Sequence, residues 1–313
     1  MSIEGTATVW NCLNYVGELY KVYADHTPFL SMIGGLSGGG RTVGAWEFAL
    51  SQYWAPDTAA QPAISETAAA GGAAATTYTR AQEYNVCQIF QRGVEVTYPK
   101  LSNWGGLSGL SVQGEAQPVA NELDFQVMAN LEQIALDVEY TFLNGAYQNT
   151  ASAATAFQTR GIIEACTTNA VDASGAALSK TLVDQLLRTM ATSGSRFRSA
   201  VVFVNAFQKQ KFSDIYGYAP ADRNVGGVNI KQVETDFAML GVIWTPQMPA
   251  GSLLVADVAY CAPVFLPVPG KGLLFYEPLS KTGASEKGQV YGQVGLDYAN
   301  QKFHGVITNL ATS

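Results

Sequence analysis

Leu123, Val127, Leu131, Ile134, Val138 and Phe142 recur at steps of four, four, three, four and four. That spacing places them on one face of a helix of 3.6 residues per turn. Pro118 suits the first turn of this helix, and Gly145 suits its C-terminal stop. The polar side carries Glu115, Glu122, Asp124, Glu132, Asp137 and Glu139, and no Lys or Arg occurs between Lys100 and Arg160. The helix therefore has no Glu–Lys pairs one turn apart. Its acids must face water or meet bases from other segments or other copies.

The pattern before this helix is different. Residues 8–23 carry a shorter amphipathic signal (Trp10, Leu13, Val16, Leu19, Tyr20, Tyr23) that Pro28 should close. A glycine cluster spans 34–40, and its Gly-Gly-Leu-Ser-Gly core recurs at 105–109; both read as flexible joints. Residues 43–53 and 78–98 have strand character, whereas 55–77 are almost entirely Ala, Thr, Gly, Pro and Ser. Such a stretch cannot nucleate a core. Two strand-rich limbs around it make a long hairpin, which is marginal alone and needs a surface, its own or a neighbour's.

After the helix, α and β signals alternate. Arg160–Cys166 is a short strand candidate. Ser179 is an N-cap for a helix carrying Leu182, Val183, Leu186, Leu187 and Met190, with Gly194 at its end. Ala200–Val204 is an apolar strand, and Asn205 caps a helix with Phe207, Phe212 and Ile215. Val242–Trp244 and Leu253–Val258 are further strands. Residues 262–310 are strands and turns punctuated by Pro263, Pro267, Pro269 and Pro278. The fold class is α+β, with one interior domain near 156–255.

The chain has 313 residues, 48% hydrophobic and only 14% charged. So little charge fits a chain that hides much of its surface in an assembly, or an enzyme with a dry core. A net charge of −7, with a pI near 4.9, argues against a general nucleic-acid binder. No apolar run is long enough to cross a membrane, and the first ten residues lack secretion-signal features. Four cysteines at 12, 87, 166 and 261 form no C-x-x-C pair and read as buried apolar groups in a reducing compartment.

Candidate chemistry is sparse. His26 and His304 are the only imidazoles, and neither sits in a catalytic motif. Gly35-Leu36-Ser37-Gly38-Gly39 matches the G-x-S-x-G elbow, but more glycines follow where that motif needs a helix. No phosphate loop, calcium loop or zinc spacing is present, so no cofactor and no metal is expected. Charge is uneven: residues 101–159 hold six acids and no base, whereas 188–231 hold seven bases and two acids. Such surfaces could meet between copies, guiding register more than adding affinity.

In order and local sequence the parts resemble the major capsid proteins of tailed phages, which have the Hong Kong 97-type fold. The resemblance is carried by Val94–Trp104 (VEVTYPKLSNW), Gln117–Gly145, Thr159–Cys166 (TRGIIEAC), Phe203–Gly227 and Val264–Pro278 (VFLPVPGKGLLFYEP). It implies an N-terminal arm at 1–42 and an extended β-hairpin loop at 43–99 that reaches over an adjacent subunit. It further implies a peripheral domain with a spine helix at 100–155, an inserted α/β axial domain at 156–255, and a return to the peripheral sheet at 256–313. The expected function is structural: self-assembly through pentamers and hexamers into an icosahedral or prolate shell around double-stranded DNA, without enzymatic activity, specific DNA binding or membrane contact. The virion is the expected location, with assembly in the host cytoplasm. Arg80, Arg92, Glu122, Asp124, Glu132, Asp137, Arg196 and Arg198 are the candidate inter-subunit contacts. Scaffolding is expected from a separate protein or not at all, beside possible portal and decoration proteins. Some members join a loop Lys to a neighbour's Asn; residues 43–99 contain no Lys, so that bond is not expected. An encapsulin-like shell around protein cargo, and a hydrolase using Ser37, are the alternatives.

Overall fold

The computed structural model describes residues 26–37, 39–102, 122–216, 223–225, 228–281 and 283–312. The amphipathic run at 8–23, Pro118, Glu115 and the second glycine cluster lie outside these residues.

The described residues begin with a short helix, α1 (Pro28–Met32), with Pro28 at its first position. Strands β1 (Arg41–Thr42) and β2 (Glu47–Tyr53), helix α2 (Glu66–Ala70), and strands β3 (Ala81–Val86) and β4 (Gln88–Thr97) follow. Helices α3 (Tyr98–Ser102), α4 (Glu122–Asn144) and α5 (Ile162–Ala165) come next. Then come β5 (Ala170–Asp172), α6 (Lys180–Thr192), β6 (Ala200–Val204) and α7 (Ala206–Tyr216). The chain finishes with strands β7 (Arg223–Val225), β8 (Val228–Glu234), β9 (Met239–Trp244), β10 (Leu253–Asp257), β11 (Ala262–Phe265), β12 (Leu274–Pro278), β13 (Ser285–Asp297) and β14 (Gly305–Thr308).

Three sheets result. β13 is the long strand of the first; it pairs with β11 and β12 along one side and with β4 along the other, and β1 joins β11. The second has the order β5-β14-β10-β6-β9-β8-β7. The third is the antiparallel pair β2–β3.

The predicted spine helix is α4. Ile134, Val138 and Phe142 are buried, whereas Leu123, Val127 and Leu131 toward its N-terminus are only half-buried. In place of Glu–Lys pairs, the amides of Gln126 and Gln133 donate to Glu122 (2.8 Å) and Asp137 (3.1 Å) one turn away. Gly145 ends the helix where a Cβ would stand 2.5 Å from the carbonyls of both Thr141 and Thr159.

The middle strands of the second sheet, β6 and β10, are buried on both faces. Val201, Phe203, Leu254 and Ala256 face a core shared with α1, α4 and α5. Their alternate neighbours Val202, Val204, Leu253 and Val255 face a separate core with α6. Continuous apolar runs such as Ala200–Val204 are what a sheet covered on both sides requires. The ring of Phe29 meets Phe203 edge-on at 5.3 Å, tying α1 to β6.

Four expectations are revised. Arg160–Cys166 forms α5 rather than a strand, because Asn85 and Tyr298 hold Arg160 and Gly161 starts a helical turn, with Ala165 N–H donating to Gly161 O at 3.1 Å. A short apolar run cannot be told from a buried helix by periodicity. The first glycine cluster is a packed turn rather than a flexible joint: a Cβ on Gly40 would lie 1.7 Å from the Pro263 carbonyl oxygen, and Gly34 and Gly35 have φ of +118° and +70°. β4 belongs to the first sheet, so the run 43–99 is not all free loop. β14 enters the second sheet between β5 and β10, so 256–313 does not return as a whole to the first.

Because one sheet serves both cores, calorimetry of the isolated subunit is expected to show a single unfolding transition. Phe203→Ala and Val202→Ala, on opposite faces, should both lower it, the former by about 3–5 kcal/mol. Two separable transitions would show the cores to be independent.

Candidate assembly surfaces

The hairpin is the most exposed part of the fold. Phe48 and Leu50 of β2 are buried in the first core and anchor its base. From Trp54 to Ala81 every residue is exposed. Ser65 Oγ accepts from Ala68 N–H (3.2 Å) and caps α2, a short helix in the Ala-rich tip. Trp54 and Tyr78 remain 56% and 53% exposed although their rings lie 5.4 Å apart. Arg80 stands on this exposed limb, just before β3.

The candidate charged residues fall into two groups. Arg92 on β4 and Asp137 on α4 meet within one subunit, with Nε and Nη2 donating to one carboxylate oxygen at 3.1 and 2.7 Å. Both side chains stay more than a third exposed, so the pair adds little to stability. Glu122 is half-buried in the first turn of α4, and Asp124 and Glu132 are exposed along it. Arg196 and Arg198 are exposed in the turn leading into β6. There Asp257 accepts from the N–H groups of Arg198 (2.8 Å) and Ser199 (2.9 Å), and the Arg198 guanidinium sits 5.4 Å from the Tyr260 ring.

Buried polar groups whose partners the sequence did not reveal hold these surfaces in place; Glu139, expected on the water-facing side of the helix, is one of them. Asn85 donates to the carbonyl of Leu296 (2.7 Å) and accepts from Arg160 N–H (2.8 Å) and Val86 N–H (2.9 Å), joining the hairpin base to β13 and the entry to α5. Glu139, buried in α4, accepts from Phe29 N–H (3.0 Å) and Leu30 N–H (2.6 Å) and so ties α1 to the spine helix. Burial pushes its carboxyl up to about 7, against the pull of those two donors. His304 is fully buried; Asp257 N–H donates to its Nδ1 (3.2 Å), and its Nε2 donates to Tyr298 O (2.8 Å). Burial depresses its pKa to about 4, so it stays neutral as a structural link between the two sheets.

The candidate hydrolase elbow at Ser37 is not assembled. Ser37 is exposed in a turn with α1 before it and β1 after it, the reverse of the strand-then-helix order of a nucleophile elbow. Cys87, Cys166 and Cys261 are buried and unbridged, and burial pushes each thiol up, Cys87 to about 12. Among the described residues no helix is long and apolar enough to cross a membrane, and no cluster of three or more potential ligands could hold a metal.

A long α-helix behind one mixed sheet, an exposed hairpin and a second α/β layer define a shell subunit of the Hong Kong 97 type. The chain is similar to the cyanophage A-1(L) capsid asymmetric unit (TM-score 0.63, 13% identity, 96% of each chain covered). It is also similar to Mycobacterium phage Che8 (TM-score 0.56, 13% identity, 96% of each chain). A third likeness is to the SrpI encapsulin of Synechococcus elongatus PCC 7942 (TM-score 0.53, 10% identity, 88% of this chain and 86% of that one). No curated protein matches the chain. The family model of the SU10 major capsid protein matches residues 2–311, and the chain belongs to that family. It is a phage major capsid protein, a structural subunit of the virion shell.

Two buried titratable groups, His304 and Glu139, oppose each other with pH. His304 has a folded pKa below its unfolded value near 6.5, so its contribution is complete above that value and is lost as pH falls toward 4. Glu139 has a folded pKa above its unfolded value, so its contribution is complete at pH below 4.5 and is lost as pH rises through 7. Relative to the native chain between pH 6.5 and 4.5, His304→Gln is expected to gain urea resistance as pH falls, and Glu139→Gln to lose it. Parallel pH profiles for all three proteins would contradict this assignment.

Proposed function

We propose that this subunit assembles through pentamers and hexamers into a closed icosahedral or prolate shell that contains double-stranded phage DNA. The carrying observation is the match to a phage capsid family over residues 2–311. The fully exposed segment 54–81 supports this reading, because a limb with no buried residue gains stability only against another molecule. The hairpin reaches over a neighbour, while exposed acids on α4 (Asp124 and Glu132, with Glu122 beside them) and bases (Arg80, Arg196 and Arg198) guide register. Arg92 and Asp137, both half-exposed, are available to a neighbour as a preformed pair. Contacts of this permanent class bury on the order of 2,000–5,000 Å² or more per pair. Many of them per subunit stabilise a shell even where each is modest. The acidic balance suits a wall that contains DNA without gripping its phosphates. Assembly takes place in the host cytoplasm, with any scaffolding, portal or decoration supplied by separate proteins. The role is structural, without catalysis.

The second reading is a compartment around protein cargo, favoured by the likeness to the SrpI encapsulin. Purified particles distinguish the two. Closed shells under the electron microscope holding nuclease-protected DNA are the expected result, and shells carrying protein cargo without DNA would support the compartment. A monomer at all concentrations, salts and scaffold additions would remove both.

Deleting residues 56–76 is expected to leave the unfolding midpoint of the subunit within about 0.5 kcal/mol, since no core residue is lost, and to abolish most shell yield. Arg196→Glu combined with Arg198→Glu should slow assembly and flatten its salt dependence. Normal yields from both variants would show that neither surface guides assembly.

A further inference from the structure

Helix α1 is too short to hold its own shape. It has five residues, and an isolated helix of that length is unstable in water. Thr27 at its N-cap makes no side-chain cap, and the N–H groups of Phe29 and Leu30 in its first turn have no partner within the helix. The Glu139 carboxyl, more than a hundred residues away in the chain, takes both (3.0 and 2.6 Å). Thr245, just after β9, adds its hydroxyl at 3.5 Å. The cap that α1 lacks is thus supplied by the spine helix.

This cap carries a conflict. Ionised, the carboxylate satisfies both N–H groups, yet it is a fully buried charge whose partners among the described residues are two N–H groups and a hydroxyl, with no base. Neutral, it relieves the buried charge, but one oxygen then carries a proton and can no longer serve a donor equally well. Burial outweighs the three donors and pushes the carboxyl up to about 7. Lifting α1 would open Glu139 to water and return it toward the ordinary carboxylate range. α1 and β6 carry no titratable side chain. The surrounding elements carry His26 (its ring edge-on to Trp244 at 5.4 Å), Lys100 of α3, Asp137 and Tyr140 of α4, Glu164 of α5, and Arg223 of β7 beside α1.

We propose that Glu139 and α1 form a proton-operated latch: α1 stays seated while Glu139 holds a proton, and ionisation of Glu139 loosens it as a unit. The sign follows from burial. Seating raises the proton affinity of Glu139, so protons favour the seated helix and their loss favours the open one. Phe29, Leu30 and Ile33 in the first core oppose release, so opening is a local event in a folded subunit. Residues 1–25 lead into α1, and the latch therefore governs where they leave the body. It is a property of the single subunit and does not depend on the shell reading.

The test is hydrogen exchange of the full-length subunit, read as protection factors so that the intrinsic pH dependence of exchange is removed. The amides of Phe29 and Leu30 are followed beside those of Val202 and Phe203 in β6. From acid pH up to neutrality, protection of the α1 amides is expected to stay constant. Above it, their protection should fall about tenfold per pH unit, with the β6 amides unchanged. Glu139→Gln, which cannot ionise, should show a flat α1 profile. A flat native profile, an equal fall in Glu139→Gln, or a parallel fall in β6 would overturn the latch. Should Glu139→Gln not fold, Thr245→Val decides. Loss of the hydroxyl donor should move the midpoint to higher pH, and an unmoved midpoint would overturn the assignment. None of these outcomes bears on shell formation, which the particle experiment reads separately.

Discussion

Strand Ala200–Val204 has a core on each side. Its alternate side chains are committed in opposite directions, Phe203 toward the spine helix and α1, Val202 and Val204 toward α6. A slip of one residue would exchange every one of these contacts. The rest of the subunit is built around this double burial. The long helix covers one face, the Lys180–Thr192 helix covers the other, and β14 is inserted late in the chain to widen the same sheet. The middle of the second sheet is thus a wall shared by two cores.

Where apolar packing cannot specify position, buried polar groups do. Asn85 satisfies backbone groups from two other segments, Asp257 closes the turn that presents Arg198, and Glu139 receives the first N–H groups of α1. Each would be costly to bury without those partners, so each fixes one arrangement of its neighbours. The surfaces available for assembly are in this way set from inside. The hairpin leaves the body at a point held by Phe48 and Asn85, and Glu139 seats α1 on the spine helix.

A shell subunit has to leave some of its own structure unfinished. The segment from Trp54 to Ala81 has no buried residue, and β4 presents an outer edge unpaired among the described residues. In a monomer these would be liabilities, an exposed limb and an aggregation-prone edge. In a shell, neighbouring copies bury surface of this kind, and the low charge content of the chain fits that use.

Much of this was written in the sequence. The four–four–three spacing from Leu123 to Phe142 determined the spine helix, Ser179 and Asn205 determined two helix starts, and the Ala/Thr/Gly tract at 55–77 determined an exposed tip. These are local signals: periodicity, capping and the absence of large side chains act within one segment. Glu139 was nearly legible, since it flanks the apolar stripe at Val138 and Phe142, but its partners lie over a hundred residues away in α1. Only the tertiary structure decided that Arg160–Cys166 would be helical, that β4 would join the first sheet and β14 the second, and that His304 would be a buried link. Those outcomes depend on which backbone groups find partners across the chain, and no local pattern encodes a partner that is distant in sequence.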